Sequence, residues 1–271
     1  MRGTTPLGQV LRVLVVAYLA LLVVVPVIMV GWNTFSSGLR PVLTALSDPD
    51  LIFAFELTLQ SAVWAVVVNT IFGVGVSLLL VRYRFPGRRL LSVLVDLPLT
   101  VSPVVVGLAL LLVYNARTGW FGPALQSWGI HVIYAPLGIV LATAFVSLPL
   151  VIREIVPVLQ EAGFDAEQAA SSLGATGWQT FWRITLPTIK WGLVYGVVLS
   201  LARSLGEYGA VKVVSGGVAL RTQTATLLVE QSYEQFGTQN AVTAYVASLA
   251  LASIAIVALI VVALLRPSKS G

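Results

Sequence analysis

With 58% hydrophobic residues, 10% charged residues and a mean hydropathy of +0.94 over 271 residues, the chain is far from a soluble domain, which carries about 25% charge. It reads as an integral membrane protein, and the absence of cysteine excludes disulfides, thiolate metal sites and a cysteine nucleophile. The net charge of +5 would suggest acidic partners in a soluble protein, but here the loops make it a topology signal, with no nucleic-acid partner implied.

Apolar windows of about 20 residues predict six spans: roughly Leu11 to Trp32, Leu57 to Val81, Leu90 to Tyr114, Tyr134 to Val156, Thr188 to Val211 and Ala241 to Leu265. The first has an apolar core longer than the usual ~7–15 residues of a signal peptide and no A-x-A site after it, so an uncleaved span is expected. The intervening segments Asn33 to Glu56, Asn115 to Ile133 and Ser215 to Asn240 are polar and turn-rich, and none is long enough to fold alone. A single all-α membrane domain over 1–271 is therefore expected.

Basic residues set the expected orientation. Arg2, Arg12, Arg82, Arg84, Arg88, Arg89, Arg153, Arg183, Lys190, Arg266 and Lys269 flank one side of the spans, and only Arg40, Arg117, Lys212 and Arg221 the other. Eleven against four predicts both termini in the cytoplasm, together with the loop between spans four and five.

Span three is interrupted by Asp96-Leu97-Pro98-Leu99-Thr100-Val101-Ser102-Pro103. Two prolines predict a kink, whose freed carbonyls lipid tolerates only where protein or a water-filled cavity satisfies them. Either the kink merely fits its neighbours, or Thr100 and Ser102 face a pathway. Asp96, a few turns from the inner surface, is expected to pair with an inner arginine rather than touch cargo.

Span five carries Gly192, Gly196, Ser200 and Ser204 at i+4 intervals, a stripe of small residues that lets helices approach closely. Beside it stand Arg203 and Glu207. A charge near mid-bilayer costs at least ~2.5–3.5 kcal/mol, so Arg203 should face the bundle interior. It forms an internal ion pair with Glu207, or it contributes to an anion route with Ser200 and Ser204 as hydroxyl donors.

The loop at about 157–187 is the longest polar interruption of the chain. Asp165, with Gln168 three residues on, predicts the cap of a short helix whose face is Ala166, Ala169, Ala170 and Leu173, stopped by Gly174. Thr176 and Gln179 form a capping box for a second helix with face Trp178, Phe181 and Trp182, which Pro187 is expected to end. An amphipathic helix on the bilayer would show bulky residues on one face and cations on the other. The alanine face, with Glu161, Asp165 and Glu167 nearby, instead favours docking on a protein.

Gln168-Ala169-Ala170, Gly174 and Ile184-Thr185-Leu186-Pro187 resemble the EAA motif of ABC-importer membrane subunits, with Gln168 where the family usually has Glu and Glu167 adjacent. Ala202-Arg203-Ser204-Leu205-Gly206-Glu207-Tyr208-Gly209-Ala210 is similar to the signature of sulfate and molybdate permeases. Pro98 to Val105, the Gly138 to Gln160 region and Val213-Val214-Ser215-Gly216 extend the similarity to the W-type sulfate/thiosulfate permeases, from about Leu51 to Leu265. The resemblance implies a type I ABC-importer permease of the bacterial inner membrane, taking up sulfate or thiosulfate, with molybdate or tungstate as the alternative. It implies a related second permease, two copies of a cytoplasmic ATPase that uses ATP and Mg, and an extracytoplasmic sulfate-binding protein. It also makes Glu167, Gln168, Ala169, Ala170, Leu173, Gly174, Trp178, Phe181, Leu186 and Pro187 the ATPase-coupling residues.

The chain has no G-x-x-x-x-G-K-[ST] and so cannot itself power transport. It is expected to be non-catalytic, without cofactor or metal of its own. A membrane enzyme would need a Ser–His pair, paired aspartates or a metal cluster, yet the only histidine, His131, lies in an outer loop and no H-E-x-x-H occurs.

Overall fold

A computed structural model describes residues 6–265, so Arg2, Arg266 and Lys269 of the charge argument lie outside the described residues. Among those residues all regular structure is helical. Helix α1 (Pro6–Leu19) runs through a π turn at Ala20–Val24 into α2 (Val25–Ser36), and none of the most apolar part of this first span is buried. After the short α3 (Leu39–Leu46) comes α4 (Pro49–Arg82). Asp48 caps it by accepting the Asp50 N–H at 2.9 Å, with Pro49 in the first turn. That cap starts the helix eight residues before the apolar window does, so α4 reaches about 51 Å at 1.5 Å per residue.

The third span departs from the expected kink. It is two helices, α5 (Arg88–Thr100) and α6 (Pro103–Tyr114), bent by 113°. Proline disfavours helical backbone in the residue before it, and both Val101 (ψ 139°) and Ser102 (ψ 134°) are extended. Among the described residues five helices are long and apolar enough to cross a membrane, or six if the bent pair is one span. The pair is completed by position: α5 packs on the loop end of α8 (Pro136–Ala162), where Leu91 and Val95 meet Ile152 and Val156. Helix α6 packs further along, where Val106 meets Ala142 and Val146.

The short α7 (Gly122–Ser127) precedes α8, and α9 (Asp165–Ser172) and α10 (Gly177–Thr180) follow it. Pro187 does not end the second loop helix. The helix continues through a π turn at Phe181–Thr185 into α11 (Leu186–Leu205), with Pro187 in its first turn. The widened turn, closed by the Leu186 N–H on the Phe181 carbonyl, takes up the disruption of a proline that has no N–H to give. The fifth span stops earlier than its apolar window, at Gly206, and Glu207 falls in the link to α12 (Gly209–Ser215). Helices α13 (Ala225–Glu234) and α14 (Thr238–Leu265) complete the chain, so the third outer segment, read as turn-rich, contains α13.

Helix α8 is the centre, packed against α4, α5, α6, α11 and α12. Small residues set its contact with α4 and α11. A Cβ on Gly196 would lie 2.9 Å from Val151 Cα, one on Gly73 would lie 2.8 Å from Val151 Cγ1, and one on Gly192 2.7 Å from the Glu154 carbonyl oxygen. Val151 is thus held between two glycines of two different helices, as the stripe in span five predicts.

Candidate functional site

The loop folds as a helical hairpin fixed by its own caps. Gly174, at φ +85°, ends α9 in the left-handed conformation that glycine adopts without penalty. Its N–H donates to the Ser171 carbonyl at 3.0 Å and the Ala175 N–H to the Ala170 carbonyl at 3.0 Å, the paired bonds of a Schellman motif. The Thr176–Gln179 box forms as predicted, Thr176 N–H to Gln179 Oε1 at 2.9 Å and Gln179 N–H to Thr176 Oγ1 at 3.3 Å. Asp165 differs from expectation. It is the first residue of α9 and makes no side-chain cap, Phe164 taking the capping position, though its charge in the first turn still suits the helix dipole.

The hairpin's outer surface is open. Leu173 is 88% exposed and Trp178 70%, Ala169 and Gln168 are exposed, and Trp178, Phe181 and Trp182 form an aromatic cluster with ring centroids 5.4–6.2 Å apart. Leu186 is half-buried against the bundle and Pro187 is exposed.

Glu167 faces the other way. Its carboxylate accepts from Thr185 Oγ1 at 2.8 Å and from Arg82 Nη2 at 3.2 Å, with Arg82 Nε 2.9 Å from Oε2 off the hydrogen-bonding direction. Arg82 also donates to the Leu159 carbonyl at 3.2 Å and stacks over the Phe164 ring at 4.6 Å. One guanidinium thereby ties α4, α8, α9 and the π turn together. Glu167 braces the hairpin, and the outward polar group at the motif is Gln168.

The residues proposed for a pathway divide into two sets. Ser200 and Ser204 are buried in the α4–α8–α11 contact. There Asn69 donates to Ser147 Oγ at 2.8 Å and to Ser200 Oγ at 3.5 Å, and Ser204 donates to Ser147 Oγ at 3.2 Å. Their hydroxyls are buried and engaged in holding helices together. Thr100 and Ser102 are exposed at the α5–α6 break. That break meets the one after α11, because a Cβ on Gly209 would lie 3.1 Å from Pro103 Cβ and 3.3 Å from Val104 Cγ2.

Arg203 Nη1 stands 2.8 Å from Glu207 Oε2, with the Arg203 side chain 38% exposed and that of Glu207 2%. Glu207 also accepts the Ala210 N–H at 3.0 Å, which satisfies an orphan donor at the start of α12. The pair is therefore anchored at its acidic end and half-open at its basic end. Nearby, Lys212, Tyr208 and Glu230 are mutually hydrogen-bonded and join α12 to α13. The Lys212 hydrogen bond, then that of Tyr208, holds the Glu230 carboxyl below its ordinary range.

The sequence profile described as "Binding-protein-dependent transport system inner membrane component" matches residues 69–271. The chain belongs to this family. It is 49% identical over 248 residues to the "Sulfate transport system permease protein CysW" of Synechococcus elongatus, covering 92% of this chain and 85% of that one. It is 45% identical to the protein of that name from Escherichia coli K12, covering 83% and 77%. To the E. coli "Sulfate transport system permease protein CysT" it is 41% identical, covering 76% and 74%. A bacterial ABC transporter that imports the polysaccharide alginate has the same fold, at a TM-score of 0.74 and 17% identity over 95% of this chain and 93% of that one. The all-α, multi-pass permease fold expected from the sequence is thus shown, as is its place in the inner membrane.

Two residues of this permease site escaped the sequence reading. Asn69 stands alone in the apolar run Val66-Val67-Val68-Asn69-Thr70-Ile71, and an isolated amide there signals a helix-to-helix hydrogen bond. Arg82 counted only toward topology, although an arginine ending one span is well placed to meet an acid in the next inner loop. Among the described residues no group of histidines and acids could hold a metal.

Proposed function

We propose that the chain is the translocating permease subunit of an ATP-driven importer for sulfate or thiosulfate, non-catalytic in itself. It pairs with a second, related permease, engages two copies of a cytoplasmic ATPase through the Gln160–Pro187 hairpin, and receives its anion from an extracytoplasmic binding protein. Both termini and the hairpin face the cytoplasm in this reading. The observation that carries it is the self-capped hairpin braced by Arg82 and Glu167, whose outer face, with Leu173 and Trp178, is left open by the described residues. Support for the cargo comes from the CysW and CysT relatives, named as sulfate permeases. Support for a binding protein comes from the neighbour solved with a substrate-loaded periplasmic protein. Molybdate or tungstate uptake, the alternative from the sequence, has no observation in its favour.

The reading is tested by uptake of labelled sulfate, thiosulfate and molybdate in a strain lacking this gene, with and without the gene restored. Restored sulfate or thiosulfate uptake is expected. Restoration of molybdate uptake alone would overturn the cargo, and a hairpin tag reachable from outside intact cells would overturn the orientation.

A further inference from the structure

The broken span holds a pattern that neither the hairpin nor the small-residue contact explains. Arg89, Ser92, Asp96 and Thr100 stand at i, i+3, i+7 and i+11, one stripe down the length of α5. Arg89, Ser92 and Thr100 are exposed, and the Asp96 side chain is 44% open. From α8, Arg153 donates Nε–H to Asp96 Oδ1 at 3.0 Å with its own side chain 58% open, which meets the expectation that Asp96 pairs with an inner arginine. The Nη groups of Arg153 and the Ser92 hydroxyl have no partner among the described residues. At the loop end the stripe borders a pocket of about 330 Å³, lined by Arg88, Arg89, Ser92 and Gln160 with Leu80 and Val156. At the other end it reaches the open break.

Lipid does not accommodate this stripe. Asp96 lies about 12 Å of helix from Arg88, and its short side chain cannot snorkel to the interface as an arginine can. Leu90 and Leu94, 63% and 51% exposed, give α5 an apolar side away from the stripe, while Val93, 65% exposed, flanks the polar residues on their own face. Thr100 donates to the Leu97 carbonyl at 2.9 Å, and water satisfies the half-open ion pair, the Ser92 hydroxyl and the rest of the freed backbone at the helix break together. The stripe also has a net positive charge, Arg89 and Arg153 against Asp96, whereas Arg203 and Glu207 cancel.

We infer that this face of α5, with Arg153 of α8, is the wall of the aqueous route for the oxyanion through the loop-end half of the membrane, and that Arg153 contacts the ion. The inference rests on the oxyanion reading above. A guanidinium held at Nε presents its Nη edge to two oxygens of a tetrahedral anion. Asp96 aims that edge and, by its own charge, keeps the hold weak enough for release.

Because the chain has no cysteine, the wall can be probed directly in the assembled transporter. In Ser92→Cys and Thr100→Cys, reaction of this chain with a charged, membrane-impermeant thiosulfonate is expected to be at least about tenfold faster than in Leu94→Cys, because only a hydrated thiol ionises and reacts. Equal, slow reaction at all three would overturn the wall. Sulfate uptake is expected to fall about tenfold in Arg153→Gln, to be only partly kept in Arg153→Lys, which retains the charge without the fork, and to stay low in Asp96→Asn/Arg153→Gln. Recovery in the double variant would make the pair a strut and overturn the contact. Labelling does not depend on which anion is carried, so failure of the wild-type chain to take up any oxyanion would overturn the functional reading while the reactivity pattern still decides the wall.

Discussion

The contact among α4, α8 and α11 and the hairpin of α9 and α10 are built on opposite principles. In the first, Gly73, Gly192 and Gly196 remove side chains so that backbones touch, and Asn69 with three serines supplies hydrogen bonds between helices far apart in sequence. In the second, nearly every bond is local, within five residues, and the large side chains Leu173, Trp178 and Trp182 point outward. Arg82, through Glu167 and Leu159, ties the two together from the side, and α10 joins the contact directly by running on into α11. The contact gives the spans a fixed geometry, and the hairpin takes its shape mainly from its own caps, with Arg82 as a brace. A shape stabilised locally can be offered to a partner, because nothing in it must rearrange for its apolar surface to be reached.

Breaking each region in turn sharpens the contrast. The largest effect is expected for Gly196→Val, which drives carbon into Val151 and should destabilise the bundle by about 3 kcal/mol, read as a lower thermal midpoint in detergent with loss of the folded permease. Next comes Arg82→Ala. Leaving Glu167 without its partner should cost about 2 kcal/mol, seen as faster proteolysis within 160–187 while the spans stay protected. Gly174→Ala forces a side chain into φ +85° and should cost about 1 kcal/mol, lowering ATPase co-purification with membrane insertion unchanged. The smallest effect on stability, within about 0.5 kcal/mol, is expected for Leu173→Ser, which is 88% exposed. Its loss should appear only in ATPase co-purification, and wild-type co-purification would show that the knob is not the grip.

The sequence makes the local region more legible than the long-range one. Capping boxes and a terminal glycine act over three or four residues, so Thr176, Gln179 and Gly174 declare the hairpin by spacing alone. The six apolar stretches and the small-residue stripe are equally plain. What spacing does not give is direction. Glu167 and Gln168 are neighbours, yet one turns toward Arg82 and the other outward, because the choice depends on an arginine 85 residues away. Ser200 and Ser204 look available until Asn69 and Ser147 are placed beside them. The prolines mark a disturbance without its size. At Pro98–Pro103 the disturbance becomes a 113° bend, whereas at Pro187 a π turn absorbs it and the helix runs on.

That last continuity makes the stretch from Gly177 to Leu205 a single shaft of 29 residues, about 43 Å, with the tryptophans at one end and Arg203 at the other. Along this shaft the only irregular winding is the π turn where Thr185 meets Glu167. A pull on Trp178 therefore arrives at the half-open arginine as a tilt of one rod, with the wide turn as its only give.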